Sequence, residues 1–217
     1  MLGCPTLPRI PVYSMIGRKK NLLVLICAAI LLAGCYLPAR FDAEIEFARN
    51  GFYKMTFEGY IVEVTLYNDI KQKKLTPEMT QTKIERVITD FKRDSGTKEI
   101  SYFGQGAFKV KWIKSGDILR SRMVTFFRRN ENMAQISFSK IQKLVTIRTK
   151  YVKRSDANQL NSMGLGMEGD LRVKTDARVL EHNAQKVTED KKAGIKIYSW
   201  KIKNIFQKAP KMLVAFP

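Results

Sequence analysis

The chain has 217 residues, 45% of them hydrophobic, and a formal net charge of +19 from 39 Lys and Arg against 20 Asp and Glu. That apolar share is too high for a disordered polyelectrolyte, and the length suits one domain able to bury its own core. A single histidine and three cysteines exclude a metal centre built from several imidazoles and a dense disulfide framework.

The first element is a leader. Arg18-Lys19-Lys20-Asn21 precede an uncharged run from Leu22 to Gly34, which Cys35 closes. Cations followed by a short apolar run have the order of a secretory signal, in which the cations stay on the cytoplasmic side. The run is shorter than the roughly 20 residues that cross a bilayer core. A span extended through Ala39 would have to contain Gly34 and Pro38. With Met15 as the start the signal is compact, so Met15 is the expected start codon and Met1 to Ser14 adds nothing to export.

The tetrad Leu32-Ala33-Gly34-Cys35 resembles the lipobox of bacterial lipoproteins, where small residues precede a cysteine that becomes residue one of the mature protein. The resemblance implies cleavage between Gly34 and Cys35, and a diacylglyceryl group with an N-acyl chain on Cys35. Two or more chains hold a protein stably to a bilayer. It further implies export to the cell envelope and, in a Gram-negative cell, an outer membrane facing the periplasm, since Tyr36 replaces the Asp typical of inner-membrane retention. Cleavage would remove Arg9, Arg18, Lys19 and Lys20, lowering the charge of +19 by four to +15. Cys4 and Cys27 would leave with the leader, so no free thiol would remain. The expected organisation is therefore a leader and signal over 1–34, an anchor and linker over 35–40, and one α+β domain over 41–217.

From Phe41 the chain alternates, with Phe41, Ala43, Ile45 and Phe47 on one face and Asp42, Glu44 and Glu46 on the other, which predicts a half-buried strand. A three-residue loop, Arg49-Asn50-Gly51, pairs Phe47 with Tyr53, Ile45 with Met55 and Ala43 with Phe57, and calls for Gly51 at positive φ. Past Gly59 the apolar parity moves to Val62, Val64 and Leu66, which predicts a bulge at Gly59 and a continuing strand. Lys71 to Leu75 reads as a basic linker. Thr76-Pro77-Glu78 then supplies an N-cap, a proline at N1 and an acid in the first turn. Ile84, Val87, Ile88 and Phe91 at helical spacing predict an amphipathic helix over Thr76 to Asp94 whose apolar face covers the sheet.

Strands are expected at 99–103 and 108–113 around Gly104-Gln105-Gly106, and at 118–128 and 133–139 around Asn130-Glu131-Asn132. Another run follows at 145–151. Ser155 can cap a short helix through Leu160, a Gly-rich bend spans Met163 to Gly169, and short strands follow at 171–175 and 178–180. Residues 187–193 read as a charged loop, Ile195 to Ile202 as a strong strand and Met212 to Phe216 as the last one. The resulting expectation is an α+β fold, a mostly antiparallel sheet of hairpins carrying one long amphipathic helix after a cleaved signal helix.

Few residues carry the pattern of chemistry. Gly164-Leu165-Gly166-Met167-Glu168-Gly169 has the letters of a dinucleotide fingerprint, but a strand follows it rather than a helix, so a loop is expected. Glu44 and Glu46, two apart on one strand face, together with His182, are the candidates for an envelope hydrolase, with solvated carboxylates and a capping histidine as the simpler account. Gly106 to Trp112 interleaves aromatics with lysines as an RNA-binding strand does, so nucleic-acid binding is the alternative if the export signal is not one. No metal site and no cofactor is expected. Cations also recur as Lys71, Lys73, Lys74, Arg128, Arg129, Lys153 and Arg154. Beside a membrane, anionic headgroups are their nearest partner, each cation contributing about 1 kcal/mol, with an envelope protein as the other expected partner.

Thr175-Asp176-Ala177-Arg178-Val179, Asn183-Ala184 and Tyr198-Ser199-Trp200-Lys201-Ile202 resemble the LppM-type bacterial lipoproteins, which carry a domain of unknown function. The resemblance implies a membrane-tethered α+β domain with lipid-related binding and supplies no catalytic residues. A non-enzymatic, membrane-anchored binding or structural protein is the function expected from these features together.

Overall fold

The computed structural model describes residues 36–126 and 133–216. The leader, the Gly34–Cys35 junction, Arg128, Arg129 and the turn expected at Asn130-Glu131-Asn132 lie outside the described residues.

The first sheet has seven strands in the order β10 (Lys186–Asp190), β11 (Ile195–Ile202), β8 (Glu168–Thr175), β1 (Tyr36–Phe47), β2 (Phe52–Glu63), β4 (Ala107–Asp117) and β3 (Thr97–Gly104). The second has five, in the order β5 (Met123–Thr125), β6 (Ala134–Ser139), β7 (Leu144–Thr149), β12 (Lys211–Ala215) and β9 (Val179–His182). All pairings are antiparallel except β1 with β8.

The β1–β2 hairpin forms in the expected register, with Phe47 opposite Tyr53, Ile45 opposite Met55 and Ala43 opposite Phe57, and Gly51 stands at φ 93°. The pairing puts like with like and buries all six side chains. β1 begins at Tyr36, so residues 36–40 belong to the strand and not to a linker. The irregularity in this pair lies on β1, between Pro38 and Arg40, and not at Gly59. Gly59 is needed for a different reason: a Cβ there would lie 2.3 Å from the Arg40 carbonyl oxygen.

The expected continuation of β2 does not occur. Helix α1 (Val64–Lys71) starts instead, because the Glu63 side chain turns back to accept a hydrogen bond from the Leu66 N–H and caps it. The parity change at Val62 therefore reflects burial on the other face of the sheet. There Leu37 and Val62 pack with Ala157, Leu165 and Ile205 under helix α4 (Arg154–Ser162).

The α+β expectation is overturned. Half of the described residues, 50%, are strand and 21% helical, and the fold is mostly β, with two sheets and four short helices. Helix α2 (Pro77–Lys92) has the expected Thr76 cap, Pro77 and buried Ile84, Val87 and Phe91, but it is no single long layer over the sheet. The inner face of the first sheet is covered by the second. Val124, Phe126, Ile136, Val145, Ile147, Met212 and Val214 join Ile45, Met55, Phe57, Val110 and Trp112 in one core. Phe126 sits at the junction, with its ring 6.1 Å from Phe57 and 5.1 Å from Trp112.

Other boundaries moved for local reasons. Residues 118–121, expected in a strand, form the one-turn helix α3 (Ile118–Ser121) capped by the Asp117 carboxylate on the Leu119 N–H. Lys153, not Ser155, is the N-cap of α4, and the Ser155 hydroxyl is held by Asp156. The expected loop at 187–193 overlaps β10, a wholly exposed edge strand whose charges disguise it.

Candidate functional site

Glu44, Glu46 and His182 are not brought together. Ala43 and Ile45 face the core, which turns Glu44 and Glu46 to the outer face of the first sheet. There Glu44 is held by Arg172 at 3.1 Å and Lys174 at 2.9 Å, and Glu46 by Lys54 at 3.1 Å. Partial burial pushes the Glu44 carboxyl upward, but the hydrogen bonds from Lys174 and Arg172 outweigh it and the net displacement is below the usual value. Arg172 also holds Asp42 at 2.6 Å, and that pairing favours its charged form. His182 lies on β9 with its ring 4.9 Å from buried Tyr198, so the first sheet separates it from Glu44. Its Nδ1 accepts from the Ala184 N–H at 3.2 Å, a local capping role.

The two nucleotide-like patterns resolve into structure. Phe108, Val110 and Trp112 are fully buried, so the run from Gly106 to Trp112 offers no aromatic face for a base. In the 164–169 run, Gly164 has φ 83° in the turn after α4, and a Cβ on Gly169 would lie 2.5 Å from the Phe41 carbonyl oxygen. Helix α4 precedes this run, and β8 begins within it at Glu168. Among the described residues no group of His, Cys, Asp and Glu could hold a metal ion.

Of the expected membrane-facing cations, Lys71, Lys153 and Arg154 stand at the two ends of α4. Lys71, at the end of α1, donates to the Met163 carbonyl at 2.6 Å, where α4 ends. Lys153 and Arg154 stand at the other end of that helix, about 13 Å away for nine residues. Lys73 and Lys74 follow Lys71 in the exposed turn, with Lys73 at φ 53°.

Two concavities meet near Lys150. An apolar pocket of about 130 Å³ opens between the sheets, lined by Tyr36, Leu37, Phe41, Ala43, Phe57, Phe126, Leu160, Met167 and Leu171, with Thr149, Lys150 and Tyr151 also on its wall. An open cleft of about 1000 Å³ shares those last three residues and adds Thr146, Arg148, Glu181, Asn183, Lys208 and Lys211. Sequence reading missed Arg148, Lys208 and Lys211 because they come from separate strands and a loop. Only the placement of β12 beside β7 and β9 unites them.

The residues that carried the family resemblance form a structural frame. The Asp176 carboxylate accepts from the Arg49 N–H at 2.8 Å, tying the turn after β8 to the β1–β2 loop. The Thr175 hydroxyl accepts from the Ala177 N–H, and Asn183 joins Trp200 to the start of β12.

No family model matches the chain, and no curated protein does. Among solved structures it is similar to the folded domain of LppM from Mycobacterium tuberculosis, with 12% identity over 85% of this chain and 94% of that one and a TM-score of 0.42. It is also similar to a mutant M1 zinc metallopeptidase from Deinococcus radiodurans bound to a Tyr-Ser-Ala substrate, at 7% identity and a TM-score of 0.36. That match covers 84% of this chain and 43% of the metallopeptidase chain. The first is a weak resemblance to the LppM type, and none of these similarities places the chain in a family.

Proposed function

We propose that this chain is an exported, lipid-anchored, non-enzymatic binding protein of the bacterial cell envelope, held to its membrane through acyl groups on Cys35. The observation that carries the proposal is the cation-led apolar run ending in Leu32-Ala33-Gly34-Cys35, with strand β1 beginning at the next residue, Tyr36. An acylated Cys35 would leave almost no linker, so the domain would stand at the membrane surface.

The pocket between the sheets supports a binding role. Its apolar lining begins with the residues that follow Cys35, and its volume of about 130 Å³ is of the size that takes a small hydrocarbon group. The exposed cations Lys71, Lys73, Lys74, Lys153 and Arg154 suit contact with anionic headgroups. A hydrolase acting through Glu44, Glu46 and His182 would require those side chains to share a pocket, and they lie on different faces.

The test is the intact mass and membrane fractionation of the native protein beside its Cys35→Ala variant. A wild-type species beginning at residue 35 with added acyl mass in the membrane fraction is expected, with both features lost in the variant. Wild-type protein that keeps residues 1–34 or carries no acyl mass would remove the proposal.

A further inference from the structure

The cleft on the outer face of the second sheet has a charge imbalance that the fold does not cancel. Val145 and Ile147 of β7 point into the core, so Thr146 and Arg148 face outward beside Lys211, whose backbone pairs with that of Arg148. Lys211 is paired with Glu181 at 3.3 Å, and Arg148 contacts only the neutral amide of Gln135, at 3.5 Å, among the contacts described. Lys150 and Lys208 are exposed and have no carboxylate partner among the described residues. Among the described residues, Arg148, Lys150 and Lys208 therefore line one concavity without a carboxylate partner, the cleft's Glu181 being taken by Lys211.

The cleft also has a rigid side. The Asn183 amide donates to the Ala209 carbonyl at 2.9 Å and its oxygen accepts from the Lys211 N–H at 2.8 Å, which fixes the loop presenting Lys208 before any ligand arrives. Preorganisation of this kind lowers the entropic cost of binding.

The lining defines the ligand. An arginine fork recognises carboxylate or phosphate in a directed way, and the two lysines add less directional charge. Tyr151, 67% exposed, offers a flat apolar face, and Thr146 and Thr149 add hydroxyls. A volume of about 1000 Å³ in an open trough suits an extended chain better than a compact molecule. Single-stranded nucleic acid uses successive aromatic platforms, and Tyr151 is the one Phe, Tyr or Trp lining this cleft. We propose that the cleft binds a short segment of an acidic glycan, with its anionic groups on Arg148, Lys150 and Lys208 and a sugar ring on Tyr151. The proposal stands apart from acylation of Cys35.

The full-chain protein in detergent is titrated calorimetrically with hexagalacturonate, with neutral cellohexaose and with a twelve-nucleotide oligothymidylate. Hexagalacturonate is expected to bind, more weakly as salt rises, while cellohexaose does not. The R148Q/K150Q/K208Q triple variant should weaken binding at least about tenfold, through loss of charge-assisted contacts. A K92Q/K98Q/K140Q variant, which loses the same net charge elsewhere, should stay within about twofold, since distant surface charges are screened. Tyr151→Ala should weaken binding without a change in Tm. Equal loss in both triple variants, equal binding of cellohexaose, or tighter binding of oligothymidylate would each overturn the proposal.

Discussion

The indole N–H of Trp200 donates to the side-chain oxygen of Asn183 at 2.9 Å, linking β11 of the first sheet to the connection between β9 and β10. The same oxygen accepts from the Lys211 N–H at 2.8 Å, so one side chain joins the first sheet to the start of β12 in the second. Trp200 is buried, so loss of this partner leaves its indole N–H without its protein acceptor. Asn183→Ala should therefore cost about 2 kcal/mol, the range for orphaning buried donors. Urea unfolding measures it, and a loss below a few tenths of a kcal/mol would show that the link between the sheets is not energetically important.

Phe41 is flanked by glycine on both neighbouring strands, opposite Gly59 on β2 and Gly169 on β8. A Cβ at Gly59 would lie 2.6 Å from the Phe41 Cα, and one at Gly169 would lie 2.7 Å from its ring. Backbone cannot move aside as a flexible side chain can, so Gly59→Ala and Gly169→Ala should each destabilise by about 2 kcal/mol or more. Gly166→Ala has open space and should be neutral within about 0.5 kcal/mol. Thermal melts of the three variants separate this packing account from one in which all the glycines of the 164–169 run serve a ligand.

Glu44 sits between Arg172 and Lys174, with its carboxyl held below the ordinary value of 4.5. A depressed folded-state value means that its contribution is fully present above about 4.5 and is lost as pH falls through the folded value. Glu44→Gln should thus be less stable than wild type near neutral pH by on the order of 1 kcal/mol. The difference should shrink toward zero in strong acid. Denaturant unfolding of both proteins across the acid range checks the sign; a gap that widens as pH falls would contradict it.

Phe126 touches Phe57 and Trp112 of the opposite sheet and is almost fully buried. Removing the ring leaves a cavity where the sheets meet, so Phe126→Ala should cost about 3–5 kcal/mol. It should also enlarge the apolar pocket, which Phe126 lines. Uptake of a small apolar probe such as xenon, judged by chemical-shift changes at Phe57 and Leu171, would register the new space.

Much of the local structure was legible because nearest neighbours specify it. The alternation from Phe41 to Phe47 and the Asn50-Gly51 turn determine the hairpin register, since any other pairing would set apolar against charged residues. Thr76 and Pro77 determine where α2 begins, because the orphaned N–H groups of a first turn accept few alternatives. Errors arose where the apolar pattern alone did not distinguish one element from another. Val64 and Leu66 continue a strand parity in sequence, yet Glu63 caps a helix there. Residues 186–190 look like a loop because both faces of an edge strand are solvated.

The sequence by itself determined the export signal pattern, the thiol-free composition after Cys35, the strand periodicities and the turning of Glu44 and Glu46 away from the apolar face. Only the tertiary structure decided that the strands divide into two sheets sharing a core, because which apolar faces meet depends on pairings between segments more than a hundred residues apart, such as β1 with β8. It also decided that Arg148, Lys150, Lys208 and Lys211 line one cleft. Charge is a property of each residue, but a shared concavity is a property of the fold.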